Sequence, residues 1–518
     1  MKNLLTLTLL ILMGGVVLLS SCDEDSPATP DGPKITAPGV TSLQTGTSVD
    51  VTFSITVAGG YKSSALGTVV GGTASITSEP TAGATSGDIV VNFTAGNDSG
   101  AGAIPLTIID NNDKTTANNA VLNITSTPPP PPNEVVSGFI EADKTFTNDR
   151  IWELAGRVIV TNGATLTIEP GTIVKGRPGE GTNASVLMIA KDGMIDAVGT
   201  STQPIIFTST DDNIEVGQLA GTNLTENDNQ TWGGVVILGN APISPSAGTT
   251  AQIEGVPAGE TLGQYGGDNP THNSGKLKYV SIRHGGTTID PVAGNDINGL
   301  TLGGVGSGTE ISHIEIFANF DDGIEYFGGT VNTSNVLIYT VGDDALDVDQ
   351  AYAGTVDNFM VFTSTAASSD EGLEIDGPEG SENATGKFTI KNGNITSVDG
   401  GGSGGDFKSK SQGTINNVIF AGFTGGATIK IRASFNEVLA CADKTDSYSN
   451  LIDDELVFTS VNFGAVSVYD GDDSDACNVP AGHQTAAEGK MSTDTGATGA
   501  SAASEFDGWT ISDIKGLL

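Results

Sequence analysis

Between residues 313 and 432 one short pattern returns five times, at steps of 22, 23, 36 and 23 residues. The rows are headed by His313, Asn335, Asn358, Asn394 and Asn417, each followed by a mainly apolar run. A second set of rows follows, headed by Ile324, Leu346, Leu373, Phe407 and Ile429. Strand-length segments recurring at this spacing mark a solenoid, whose coils bury their apolar side only against their neighbours. The expected fold is a right-handed parallel β-helix. The asparagines heading four of the rows would then stack as an amide ladder at one turn.

The rest of the composition agrees with many short strands. The chain has 71 glycines among 518 residues and 6% aromatics. Glycine inside a helix costs about 1 kcal/mol relative to alanine, so long helices are disfavoured. The formal charge is −40, from 62 acidic and 22 basic residues. Nucleic acid needs a basic surface and is excluded as a partner. Divalent cations are favoured, and so is a solvated, self-repelling surface.

Residues 1–21 read as a leader: Lys2, then an uncharged apolar run from Leu4 to Leu19, then Ser20 and Ser21 before Cys22. The run is short for spanning about 30 Å of hydrocarbon. The segment resembles the lipobox of bacterial lipoproteins, which implies lipidation of Cys22. Asp23, Glu24 and Asp25 follow at once and resemble the surface-export signal of Bacteroidota lipoproteins. That resemblance implies a lipid anchor in the outer membrane, facing the medium.

Residues 22–34 form a polar tether. From 35 to 127 apolar and polar residues alternate, most clearly from Val49 to Val57, as in an immunoglobulin-like β-sandwich. This part reads as a spacer or as a carbohydrate-binding module. Residues 128–134 carry an unbroken proline run, a stiff linker of roughly 3 Å per residue. The β-helix is expected over 135–435. Residues 436–518 read as a cap, with a final strand at 505–511. Cys441 and Cys477 there form one disulfide or remain two free thiols.

The phrases from Leu166-Thr-Ile-Glu-Pro-Gly171 through Asp321-Asp-Gly-Ile-Glu-Tyr-Phe-Gly-Gly329 resemble a family of parallel β-helix surface proteins of Bacteroidota and other Gram-negative bacteria. The resemblance implies a pectate-lyase-like β-helix and no established activity.

Chemistry gathers in the second set of rows. Ile324, Tyr326, Leu346, Val348, Leu373, Ile375, Ile429 and Ile431 should point inward, and the residues between them outward. That alignment stacks Glu325, Asp347, Glu374, Lys408 and Lys430 in one column, and Phe327, Asp349, Asp376, Lys410 and Arg432 in another. The preceding turns add Asp321, Asp322, Asp343, Asp344, Asp370 and Glu371. Carboxylates about 4.8 Å apart on adjacent strands repel by roughly 3 kcal/mol at an effective dielectric of 20. Lysines offset part of this, Lys408 against Glu374 and Lys410 against Asp376. Ca²⁺ would offset the rest, with Asp322, Glu325, Asp343, Asp344, Asp347, Asp349, Glu371, Glu374 and Asp376 as its ligand set. The other reading is a column of exposed acids screened by salt.

Two functions are compatible with this face. One is a non-catalytic surface protein that presents the rod to a glycan, another cell or an outer-membrane partner. The other is a calcium-dependent polysaccharide lyase or hydrolase acting on an acidic glycan, with Lys408, Lys410 or Arg432 as the base. His272, His284, His313 and His483 show no metal-binding spacing, and His313 reads as structural.

Overall fold

The computed structural model describes residues 31–126, 133–254, 261–290, 295–424, 429–433, 447–464, 483–501 and 503–518. Cys22, Cys441 and Cys477 lie outside the described residues, and with them the expected lipidation, the expected export signal and the choice between a disulfide and two free thiols. The chain divides into two compact units, one up to residue 129 and one from 130.

The first unit is a β-sandwich of two four-stranded sheets. One sheet runs Lys34–Thr36, Ser48–Thr56, Ser86–Ala95, Gly72–Ser78 in spatial order; the other runs Thr41–Gln44, Thr115–Thr125, Gly100–Asp110, Tyr61–Leu66. Strict alternation builds its core. Val51, Phe53 and Ile55 lie beside Val91, Ile89 and Gly87 of the antiparallel neighbour. They pack with Phe93, Ile104, Leu106 and Ile108, all buried.

The second unit is a right-handed parallel β-helix holding a 22-stranded sheet. Its rungs stack in register on three faces. The first face starts at Lys144–Phe146 and Thr165–Ile168 and runs through residues 310–312, 332–334, 355–357, 389–391 and 413–416 to Leu456–Thr459. The second includes residues 280–283, 314–317, 336–339, 359–362, 393–396 and 418–421. The third includes Leu300–Gly303, Ile324–Phe327, Leu346–Asp349, Leu373–Ile375, Gly405–Phe407 and Ile429–Ile431. Inside the coil, Ile314, Val336, Phe359, Ile324, Leu346, Leu373 and Ile429 are fully enclosed. Each such side chain contributes about 1.5–3 kcal/mol on burial.

The first and second faces meet at a corner where one residue per coil takes a left-handed backbone. Tyr279, His313, Asn335, Asn358, Asn392 and Asn417 have φ of 51, 56, 54, 58, 56 and 55°. Asparagine tolerates this region better than most side chains. The amides do stack. Asn335 Nδ2 lies 3.1 Å from His313 Nε2, and Asn417 Nδ2 donates to Asn392 Oδ1 at 2.8 Å. The fourth member of the column is Asn392 rather than Asn394, because Gly393 lies opposite Phe359. A Cβ on Gly393 would strike the Phe359 ring. The glycine therefore fills an inward position that an apolar pattern cannot reveal.

Parallel stacking continues beyond residue 435, since Leu456–Thr459 pairs with residues 413–416. Tyr448, Leu451, Phe463, Ala487 and Met491 then join the same core. The expected final strand at 505–511 is instead a 3₁₀ turn at Ala503–Phe506 and a helix at Ile511–Ile514. Thr510 caps that helix, its Oγ1 accepting from Asp513 N at 3.2 Å.

This last segment runs back along the second face instead of ending on the open end. Asn417 Oδ1 accepts from Thr498 N, Asn394 Oδ1 from Ala500 N and Asn358 Oδ1 from Ser501 N. Glu505 Oε2 lies 3.2 Å from His313 Nε2, and Trp509 meets Tyr279 edge-on at 5.5 Å. The Glu315 carboxylate accepts from Ile511 N and Ser512 N, both at 2.9 Å. Phe506 and Trp509 cover Leu337, and Ile511 packs with Phe317 and Tyr339. That cover lets the second-face strands be apolar on both sides.

Candidate metal centre

On the third face, Thr301, Glu325, Asp347, Glu374, Asp406 and Lys430 are in register. Lys408 does not stand in this column; Asp406 does, opposite Glu374. The apolar alignment slips by two residues here too. Gly405 takes the inward place aligned with Leu373, and Phe407 aligns with Ile375. A Cβ on Gly405 would lie 3.3 Å from the Phe407 ring. The cation beside Asp376 is consequently Lys408, at 3.7 Å, and Lys408 also pairs with Glu374. Lys410 stands in the following turn, exposed, with φ of 64°.

Outward residues of a rod should be wet, but Glu325 is 7% exposed. The cause is an apolar cover. Ile243, Ile253, Tyr265 and Ile297 pack with Phe327 over the outside of this face. Asp322, Glu325 and Asp344 are thereby enclosed and Asp321, Asp347 and Asp349 half-buried, while Asp343 stays exposed.

Two kinds of acid emerge. The turn acids stitch coils together: Asp322 Oδ1 accepts from Asp344 N at 3.0 Å, and Asp344 Oδ1 accepts from Glu371 N at 2.8 Å. Carboxylate oxygens also converge, and among the described residues none of Asp321, Asp322, Glu325, Asp343 and Asp347 has an ion pair with a basic side chain. Asp322, Glu325 and Asp347 each bring one carboxylate oxygen within 4.8 Å of the others, and Asp321, Asp322 and Asp343 do the same. Asn298, 1% exposed, directs its Nδ2 to Glu325 Oε2 and to Thr301 Oγ1. Its Oδ1 is enclosed with no donor, as are Asp347 Oδ1 and Asp296 Oδ1.

Burial, then repulsion between neighbours, drives these carboxyls up. Asp321 is pushed up to about 8, with Asp296, Glu254 and Asp343 adding to burial. Asp344 is pushed up to about 11 by burial and then Asp322. Asp322, Glu325, Asp347 and Asp349 are raised well above the carboxylate range, again by burial first. Enclosed carboxylates hold protons or a cation. Hard oxygen donors without histidine or cysteine suit calcium, and these residues fit it.

The lower acids are different. Lys430 Nζ donates to Glu371 at 2.7 Å, and Arg432 grips Asp406 through two nitrogens at 2.7–3.1 Å. Glu371 and Glu374, as well as Asp376, thus sit on the compensated part of the face. Asp296, Asn298 and Glu254 were not apparent from the repeat, because they belong to insertions outside it.

The Asp321, Asp343 side opens into a cavity of about 520 Å³ lined also by Glu226, Asp296 and Phe320.

Among curated proteins none matches the chain. A family 28 exopolygalacturonase of Yersinia enterocolitica is similar over 75% of this chain and 86% of that chain, at 11% identity and a TM-score of 0.18, too low to bear on activity. Residues 138–512 match the model of the pectate-lyase like beta helix domain, and the chain belongs to that family.

Proposed function

We propose that the protein is lipid-anchored on the outer-membrane surface, held there through Cys22, and that its β-helix binds a glycan, cell-surface or outer-membrane partner without cleaving it. Calcium at the enclosed acids stabilises the rod. The observation that carries this reading is the state of the basic side chains next to the acids. Lys408 is committed to Glu374 and Asp376, Lys430 to Glu371, and Arg432 to Asp406. Burial lowers the Lys430 ammonium, yet its bond to Glu371 and the nearby acids carry it above the ordinary lysine value. A lyase base needs a depressed pKa and a free lone pair, the opposite condition.

The test is incubation of the chain with polygalacturonate and with alginate, with calcium and with chelator. No unsaturated product is expected. Product that disappears with chelator and in Lys408→Ala would replace this reading with the lyase one.

A further inference from the structure

Asp322 belongs to both convergent groups of carboxylates. Calcium binds oxygen at about 2.4 Å, so two ligands on opposite sides of one ion stand about 4.8 Å apart. Each group lies within that span. The two groups together hold five carboxylates. One divalent ion would leave three of their charges uncompensated, and two ions would leave one.

Resting on the calcium reading above, we propose that the cluster is a two-ion calcium centre bridged by Asp322. The inner ion sits on Asp322, Glu325 and Asp347, with Asn298 Oδ1 as a neutral ligand. The outer ion sits on Asp321, Asp322 and Asp343, beside Asp296, at the wall of the 520 Å³ cavity.

Three oxygens support the assignment independently of the charge count. Asn298 Oδ1, Asp347 Oδ1 and Asp296 Oδ1 are enclosed acceptors with no donor. An enclosed acceptor left unpaired costs about 1–3 kcal/mol, and a cation removes that cost. The first two serve the inner ion and the third the outer. The environments differ as well. Asp322 and Glu325 are each 7% exposed, while Asp343 is exposed. The inner ion is therefore locked in, and the outer one exchanges and keeps coordination positions open to the cavity.

Equilibrium dialysis of the full chain against ⁴⁵Ca²⁺, after chelation, tests this. Two ions per chain are expected in the parent protein. One is expected in Asp343→Asn and in Asp321→Asn, each keeping most of the calcium-induced rise in Tm. Glu325→Gln should lose most of that rise, and circular dichroism reports whether it still folds. One ion in the parent chain, or two in both outer-site variants, overturns the bridged pair but not the calcium reading. No bound ion at all overturns both.

Discussion

Asn358 Nδ2 donates to Asn335 Oδ1, one coil away, at 2.6 Å, and the Asn358 Oδ1 accepts from Ser501 N at 2.8 Å. One side chain thus joins the coil below to the chain's returning C-terminal segment, from a backbone φ of 58°.

Asn358→Ala loses both bonds and puts a Cβ residue without local hydrogen bonding in the left-handed region. About 1–2 kcal/mol is expected from the backbone and about 0.5–1.5 kcal/mol from the lost bond to Ser501, which is exposed so that water can take its N–H. Asn358→Gly removes the backbone part and should cost less. Denaturant midpoints of the two variants, measured side by side, check the order.

The enclosed acids predict an unusual pH response. Burial first, then Asp296, Glu254 and Asp343, push Asp321 up to about 8 in the folded chain from an ordinary value of 3.8. The folded chain keeps a proton that the unfolded chain has released, so this contribution is full below 3.8 and fades as pH rises through about 8. In chelator, Tm should therefore fall between about pH 4 and pH 8. Saturating calcium should flatten the curve, and Asp321→Asn should make it shallower in chelator. Scanning calorimetry across this range, with and without calcium, is the measurement.

Lys430→Ala leaves Glu371, 3% exposed, without its cation. A loss of about 1.5–3 kcal/mol is expected, and Glu371→Gln in the same chain should restore part of it. Urea titration of the single and double variants gives the coupling.

Cys22→Ser should move the protein from the membrane fraction to the soluble one and abolish incorporation of labelled fatty acid. Replacing Asp23, Glu24 and Asp25 together by alanine should leave lipidation intact and reduce surface labelling of whole cells. Unchanged fractionation of Cys22→Ser would remove the anchor.

The fold was legible where side chains carry the period. The rows headed by His313, Asn335, Asn358 and Asn417 are in true register, and Ile324, Leu346, Leu373 and Ile429 point inward. Legibility failed at Gly393 and Gly405. Each glycine yields its inward volume to a phenylalanine ring, Phe359 or Phe407, and an absent side chain leaves no apolar mark. That two-residue slip put Asn394, Lys408 and Lys410 in the wrong columns, although Lys408 does pair with Glu374 as expected. The acid cluster was legible from the doublets Asp321–Asp322 and Asp343–Asp344. Its enclosure was not, because the covering residues Ile243, Ile253 and Tyr265 lie in insertions without a repeat. The return of residues 494–518 along the rod was hidden for a similar reason, since its contacts are mostly backbone N–H groups donating to Asn417, Asn394, Asn358 and Glu315.

That return has a temporal consequence. Ser512 secures Glu315 across a separation of 197 residues, so residues around 512 fasten coils translated long before them. A chain emerging N-terminus first can wind those turns, but this clasp on them closes only after the segment around Ser512 has been made.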